Sequence, residues 1–218
     1  MNFGIIGTGD VANAIATKLV KLGHKVTMGS RTPNNEKAVK WATLNGYLAS
    51  YGTFKDAASF GEIIFNCTAG VTSLQALEMA GSENLNGKIL VDIANPLVVG
   101  EYISLVPSLS NTTSLGEEIQ KRYPESKVVK ALNTMHFSLM VQPSLLNEKH
   151  DVFICSDHND AKEQVKEILK WFGWESPIDL GTLPAARYTE MLSAVWMPIF
   201  KATNEPVFNY RIIRSEQQ

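Results

Sequence analysis

The sequence has few cysteines. Cys67 and Cys155 are the two present among 218 residues, far apart and outside any C-x-x-C spacing. A disulfide framework or a cysteine-based zinc site is therefore not expected, and a reducing compartment fits the pattern. No spacing of His, Cys or Asp typical of a metal centre occurs, so no metal is predicted. Cys67 is expected to be a small core residue.

Long apolar runs and an excess of one charge are also absent. No stretch approaches the roughly 20 apolar residues that a membrane-spanning helix needs, and Met1 leads directly into a short apolar run, without a signal peptide. The formal net charge is −2, with 44% hydrophobic and 19% charged residues. Neither nucleic acid nor a membrane is therefore expected as a partner, and a cytoplasmic globular protein is predicted.

The first 31 residues contain the pattern strand, glycine turn, helix, strand. Phe3–Ile6 is an apolar run typical of a buried strand. Residues 7–12 (Gly-Thr-Gly-Asp-Val-Ala) then match G-x-G-x-x-A. Gly7 allows the tight turn, Gly9 lets the backbone approach a pyrophosphate, and Ala12 lets helix and strand pack closely. We therefore predict a dinucleotide site. The alternative is a glycine turn in another kind of α/β protein.

The end of the second strand indicates which dinucleotide binds. A site for NAD usually has Asp or Glu about 20 residues after the glycines, whereas residues 29–32 are Gly-Ser-Arg-Thr. Arg31 can pair with a 2′-phosphate or stack on the adenine, Ser30 can donate a hydrogen bond, and Lys37 can add positive charge. NADP(H) is therefore predicted in preference to NAD(H). The alternative is that Arg31 is an ordinary solvated surface residue.

Strand and helix patterns alternate along the chain, which predicts an α/β fold with a doubly wound, mostly parallel sheet of the Rossmann NAD(P)-binding type. Residues 1–150 are predicted to form the dinucleotide-binding domain. Residues 151–218 are predicted to form a small strand-helix-strand-helix extension packed on it. Leu97–Thr113 lacks periodicity and is expected to be a mobile or substrate-covering loop. The apolar last helix, from Arg187 to about Phe200, either covers the sheet or forms a homodimer.

Small and polar residues follow three of the predicted strands. They are Thr68-Ala69-Gly70, Ala94-Asn95-Pro96 and Asn133-Thr134. The carboxyl ends of parallel strands meet at the edge where open α/β sheets bind ligands. These residues are therefore expected to lie near the cofactor.

No nucleophile with a neighbouring base can be identified, and no catalytic residue is predicted. The chain has no G-x-S-x-G sequence. His136 falls near the predicted cleft, where it either touches the substrate or has a structural role. Hydride transfer needs no protein acid or base when the acceptor supplies its own chemistry.

Five segments together resemble the family of NADP oxidoreductases dependent on coenzyme F420. They are Gly7-Thr8-Gly9-Asp10, Gly29-Ser30-Arg31, Asp92-Ile93-Ala94-Asn95-Pro96, Val128-Val129-Lys130-Ala131-Leu132-Asn133-Thr134 and Leu183-Pro184-Ala185-Ala186-Arg187-Tyr188. Related domains form the cytoplasmic part of membrane metalloreductases. Because this sequence has no membrane span, a diffusible acceptor is expected.

The resemblance implies a residue set for NADP(H). The pyrophosphate and 2′-phosphate side comprises Thr8, Gly9, Asp10, Val11, Ser30, Arg31 and Lys37. The nicotinamide side comprises Ala69, Ala94, Asn95, Pro96, Asn133 and Thr134. Archaeal deazaflavin enzymes of the family tend to have a histidine where this chain has Asn133. This difference leaves the hydride acceptor open between coenzyme F420, a flavin and another small molecule.

Two other functions compete with the reductase. A non-catalytic NADP(H)-binding sensor or partner protein would also explain the scarcity of acid–base residues. An imine or hydroxyacid reductase would need a large helical dimerisation domain, and too little helix is predicted after Asp151 for that.

Overall fold

An eight-stranded sheet runs through the described part of the chain. The computed structural model describes residues 1–100 and 103–215, without the side chain of Val99. The strands of both sheets in the described residues are β1 (Asn2–Ile6), β2 (Lys25–Ser30), β3 (Ala49–Thr53), β4 (Ile63–Asn66), β5 (Ile89–Asp92), β6 (Leu97–Val99), β7 (Ile103–Leu105), β8 (Lys127–Ala131), β9 (Phe153–Cys155) and β10 (Ile178–Asp179). β6 and β7 form a separate antiparallel hairpin.

Helices cover both faces of the sheet. They are α1 (Asp10–Lys21), α2 (Glu36–Asn45), α3 (Phe54–Phe60), α4 (Gly70–Ala80), α5 (Ser82–Leu85), α6 (Leu115–Arg122), α7 (Phe137–Val141), α8 (Asn159–Phe172) and α9 (Ala186–Thr203). Because side chains alternate along a strand, Ile5 and Ile6 of β1 enter different cores. Ile5 packs in the core with α1 and α8, and Ile6 packs in the core with α3 and α6.

The strand order is β10-β9-β8-β5-β4-β1-β2-β3. β1, β2, β3, β4, β5 and β8 are parallel, and β9 runs antiparallel to β8. The predicted doubly wound, mostly parallel sheet of the Rossmann type is therefore confirmed. The direction of the strand order reverses between β1 and β4, which is where such sheets bind their ligands.

Leu97–Thr113, expected to be a mobile or substrate-covering loop without periodicity, contains a short hairpin in its first half, and its mobility and covering role stay predictions. β6 and β7 pair there with Leu97 opposite Leu105 and Val98 opposite Ser104. Strands of three residues are too short to produce a visible alternation in the sequence, which is why they were not predicted. Residues 101 and 102, between the two strands, lie outside the described residues.

The residues after 150 continue the same sheet. β9 pairs with β8, and β10 pairs with β9 in parallel. The tail then returns toward the start of this region, where the Asp151 N–H donates to the Tyr210 carbonyl at 2.9 Å. The domain boundary at residue 150 stays a prediction. So does the homodimer, although Tyr188 and Val195 of α9 are exposed.

Candidate functional site

The glycine turn after β1 is built as the motif requires. Gly7 has φ +127°, a conformation that favours glycine. A Cβ on Gly7 would lie 2.7 Å from the Cys67 carbonyl oxygen, so the turn packs directly on the chain leaving β4. The Gly7 N–H donates to the Gly29 carbonyl at 3.1 Å, which ties the turn to the end of β2.

The helix that follows begins without a side-chain cap. Gly9 is the N-cap of α1, in an extended conformation, and it provides no side-chain acceptor for the first-turn N–H groups. Such an N-terminus favours an anion because free N–H groups and the positive end of the helix dipole point outward. Thr8 is half-buried, Gly9 and Asp10 are exposed, and Val11 is half-buried.

Two clefts adjoin this turn and share Thr8 and Gly9. The first, of about 260 Å³, includes Gly7 and Arg31 on one side. The second, of about 450 Å³, lies along α1 and α2 and includes Asp10 and Lys37. Arg31 and Lys37 thus line different clefts that meet at Thr8 and Gly9.

Ser30 and Arg31 differ in availability. Ser30 is buried, and its hydroxyl donates to the Thr32 carbonyl at 2.5 Å and accepts from the Thr32 N–H at 3.3 Å. Its hydroxyl would have to rotate to donate to a phosphate. Arg31 is exposed and forms no ion pair within residues 1–100 and 103–215. Its guanidinium is therefore available to a ligand.

The first cleft is also lined by residues that the sequence patterns do not single out. They are Phe54, Thr72, Gln75, Ala76 and Met79. Four of them lie on α4 at positions 72, 75, 76 and 79, a spacing that places them on one helical face. That spacing, in a helix starting after the predicted ligand-edge residues, is the signal that could have found them.

The start of α4 packs tightly against the strand end after β5. A Cβ on Gly70 would lie 2.1 Å from the Asn95 carbonyl oxygen, and the Gly70 N–H donates to that oxygen at 3.2 Å. α4 begins at Gly70, at this contact. Ala69 and Asn95 are neighbours across this contact, as their predicted places at one edge of the sheet require.

Asn95 and Asn133 form a reciprocal amide pair. The Asn95 Nδ2 donates to the Asn133 carbonyl at 2.7 Å, and the Asn133 Nδ2 donates to the Asn95 Oδ1 at 2.9 Å. The preceding residue, Leu132, has φ 64°, which is unusual for a non-glycine residue. Such strain is often found at functional sites. Pro96 and Thr134, beside the pair, are buried.

Beneath this edge, buried and half-buried side chains form a hydrogen-bond network. Thr68 Oγ1 donates to Asn66 Oδ1 at 2.7 Å and lies 2.7 Å from Ser73 Oγ. The Asn66 Nδ2 donates to Asp92 Oδ1 at 2.8 Å. Thr68 is thereby held in place at the end of β4, next to the glycine turn.

Two titratable groups near this edge, Cys67 and His136, favour their neutral forms. Burial raises the pKa of the Cys67 thiol, and the Asp92 carboxylate raises it further. Burial lowers the pKa of His136, against the opposing effect of Asp10 and Glu205. His136 is the N-cap of α7, where its Nδ1 lies 2.8 Å from Ser138 Oγ. It thus has a structural role, whether or not it also touches a substrate.

Within the described ranges, no three His, Cys, Asp or Glu residues are arranged to hold a metal ion. None of the helices described is long and apolar enough to cross a lipid bilayer.

Residues 2–96 match the model of the family described as NADP oxidoreductase, coenzyme F420-dependent. A protein from Arthrobacter sp. FB24, provisionally described as an F420-dependent NADP-reductase, has a solved structure that is 41% identical. That structure superimposes with a TM-score of 0.91 over 97% of this chain and 99% of the other.

Two kinds of reductase are similar in sequence. The F420-dependent NADP reductase of Methanocaldococcus jannaschii is 29% identical over 199 residues, covering 86% of each chain. The metalloreductase STEAP3 of Rattus norvegicus is 32% identical over 200 residues, covering 91% of this chain. The present chain spans only 35% to 37% of the length of the curated metalloreductases it matches.

More distant structures share the fold. An imine reductase of Streptomyces aurantiacus, 18% identical, superimposes with a TM-score of 0.67 over 92% of this chain and 62% of its own. At that identity the likeness concerns the architecture alone.

Proposed function

This chain belongs to the family of coenzyme F420-dependent NADP oxidoreductases, and from that premise we propose that it transfers hydride between NADPH and a small diffusible acceptor. The acceptor we propose is flavin-like, with coenzyme F420 as one candidate. A flavin is a second candidate of this kind, and another small diffusible molecule is the alternative.

One observation carries this proposal. The first cleft joins the glycine turn, which can hold a pyrophosphate, to an exposed arginine without an ion pair in the described ranges. No carboxylate occupies residues 29–32 at the end of β2, so a 2′-phosphate would meet attraction from Arg31 and no repulsion there. This combination supports NADP(H) rather than NAD(H).

The proposed cofactor residues fall into two groups. Gly7, Thr8, Gly9, Asp10, Val11, Ser30, Arg31 and Lys37 would bind the phosphate groups. Thr68, Ala69, Ala94, Asn95, Pro96, Asn133 and Thr134 would line the nicotinamide side. The uncapped α1 N-terminus and the tight packing at Gly7 fit a pyrophosphate at the turn.

The nicotinamide side would serve to bind and orient. When bound, NADPH supplies the hydride from its dihydronicotinamide ring. The Asn95–Asn133 pair offers polar groups fixed by hydrogen bonds in place of a mobile acid or base. Because Cys67 is held neutral, it is not a candidate nucleophile. The chain's contribution is therefore positioning and exclusion of water, with proton chemistry left to the acceptor.

A non-catalytic NADP(H)-binding sensor is the second candidate. The observation that favours it is the scarcity of titratable groups on the proposed nicotinamide side, where amides and hydroxyls predominate. Such a protein would bind the cofactor tightly and release it unchanged.

An oxidation assay separates the two candidates. NADPH consumption would be measured with deazaflavin, FMN, ferric chelates and quinones as acceptors, alongside NADPH binding by fluorescence. Turnover on at least one acceptor, lost when NADH replaces NADPH at equal concentration, is expected for the reductase. Tight NADPH binding without turnover on any acceptor would instead favour the sensor.

A further inference from the structure

Three charged side chains lie buried together below the Asn95–Asn133 pair. Asp92 of β5 and Lys130 of β8 have fully buried side chains, and that of Glu190 on α9 is 2% exposed. Removing charges from water is unfavourable, and a buried ion cluster by itself is weak evidence for added stability. The contacts of this cluster indicate a role other than stabilising the fold.

The Lys130 ammonium uses all three of its donors within the protein. It lies 2.8 Å from Asp92 Oδ2 and 2.7 Å from Glu190 Oε1, and it donates to the Ala94 carbonyl at 2.5 Å. Glu190 is held in turn by the N–H groups of Leu115 and Gly116, at 2.9 and 3.2 Å. The ammonium is thus fixed in position by β5, the backbone that follows β5, and α9.

The same cluster holds Ala94 at both ends of its backbone. Its carbonyl accepts from Lys130, and its N–H donates to Asp92 Oδ1 at 3.2 Å. The peptide that leaves Ala94 leads directly into Asn95, so its orientation determines where the Asn95 amide lies. Asn95 in turn holds Asn133 through the reciprocal amide pair.

We propose that Lys130 is a positioning residue that, together with Asp92, clamps Ala94 and thereby fixes the Asn95–Asn133 pair on the nicotinamide side of the site. Glu190 keeps the ammonium in place from α9. This assignment goes beyond the proposed function but depends on it for the identity of the bound ring. It predicts that loss of Lys130 disturbs the environment of the ring more than it weakens phosphate binding.

The test compares Lys130→Met with Lys127→Met on full-length protein. Lys127 lies on the same strand, but its side chain is partly exposed and pairs with Asp160. For each variant we would measure the Kd for NADPH, the fluorescence of bound NADPH and the kcat. We would also measure the primary deuterium isotope effect with NADPH deuterated at the transferred position.

We expect Lys130→Met to lower kcat by about 10- to 100-fold, since small misplacements of reacting groups have effects of that order. Its isotope effect and bound-state fluorescence should change, while the Kd for NADPH changes by less than about three-fold because the charged phosphate contacts remain. Lys127→Met should match the wild type. A folded Lys130→Met variant with wild-type fluorescence, isotope effect and kcat would overturn the proposal.

A second pair of variants keeps the test decisive if Lys130→Met does not fold. In Lys130→Met/Glu190→Gln, Asp92 is the one remaining charge of the cluster, and it keeps donors from Asn66 and Ala94. Compared with Glu190→Gln alone, the double variant should show the altered fluorescence and kcat. Wild-type fluorescence and kcat in the double variant would overturn the proposal.

The outcomes also separate this inference from the proposed function. A wild-type protein that binds no NADPH would overturn both. A wild-type protein that binds NADPH without turnover would overturn the reductase alone, because the fluorescence of bound NADPH still reports whether Lys130 places the ring.

Discussion

Arg31 is the residue on which the choice of dinucleotide depends. A hydrogen bond to a charged group contributes about 1.5–3 kcal/mol, and 1.4 kcal/mol corresponds to about ten-fold in affinity. We expect Arg31→Ala to raise the Kd for NADPH by about 10- to 100-fold and to change the Kd for NADH by less than about three-fold. Fluorescence titration at fixed ionic strength measures both.

Arg122→Ala is the matched control. Arg122, at the end of α6, is also exposed and pairs with Glu78 of α4. It should leave both Kd values unchanged. Equal losses of NADPH and NADH affinity in Arg31→Ala would contradict a role in 2′-phosphate binding.

Single-residue chemistry was only partly predictable from the sequence. Gly7 was predictable because a backbone conformation open mainly to glycine leaves a pattern in the sequence. The Asn95–Asn133 contact was not, because 38 residues separate the pair and nothing local in either segment specifies the other. Nor could the sequence show that the Ser30 hydroxyl already donates to the Thr32 carbonyl.

Among the elements, α3 begins with a complete capping box. Thr53 is its N-cap and accepts from the Asp56 N–H, while Asp56 Oδ2 accepts from the Thr53 N–H at 2.8 Å. This capping box fixes a helix that packs on β1 so closely that a Cβ on Gly4 would lie 2.2 Å from the Ala57 carbonyl. The cap therefore supports the strand that precedes the glycine turn.

We expect Thr53→Ala to lower the free energy of unfolding by about 1 kcal/mol, the usual effect of losing such a cap. Urea denaturation measures it, and Ser59→Ala, an exposed position in the same helix, should cause no loss.

Hydrogen bonds from Thr53 lower the pKa of Asp56. The contribution of this carboxylate is therefore present above its unfolded pKa of about 3.9 and is lost as the pH falls through its lower folded pKa. A Thr53→Ala loss that persists unchanged at acid pH would contradict the Asp56 part of the box.

Elements with strong local sequence signals could be predicted correctly, whereas features that depend on distant contacts could not. The Ser114 start of α6 was predictable because a capping box is written in four adjacent residues. The β6–β7 hairpin was not, since each strand has three residues and pairs only with the other. The reversed direction of β9 depends on its pairing with β8 and has no local sequence signature.

The whole molecule should unfold in one transition. The extension after residue 150 shares the sheet through β9, and Ile154 lies in the same core as Ile5 and Val129. Three of the four tryptophans, Trp171, Trp174 and Trp196, lie in that extension. Tryptophan fluorescence thus reports mainly on the extension, while far-UV circular dichroism reports on all elements.

The two signals should give coincident urea unfolding curves, as expected for two-state behaviour. A fluorescence transition at distinctly lower urea would show that residues 151–218 unfold separately. That result would favour two independent units divided near residue 150.

The edge of the sheet at β10 has a consequence for association. β10 contains only Ile178 and Asp179, and the Asp179 carboxylate lies 3.1 Å from both the Lys162 and Lys166 ammonium groups. A short edge strand with charged side chains offers little backbone to which another strand can add. This edge is thereby protected against intermolecular strand pairing and aggregation.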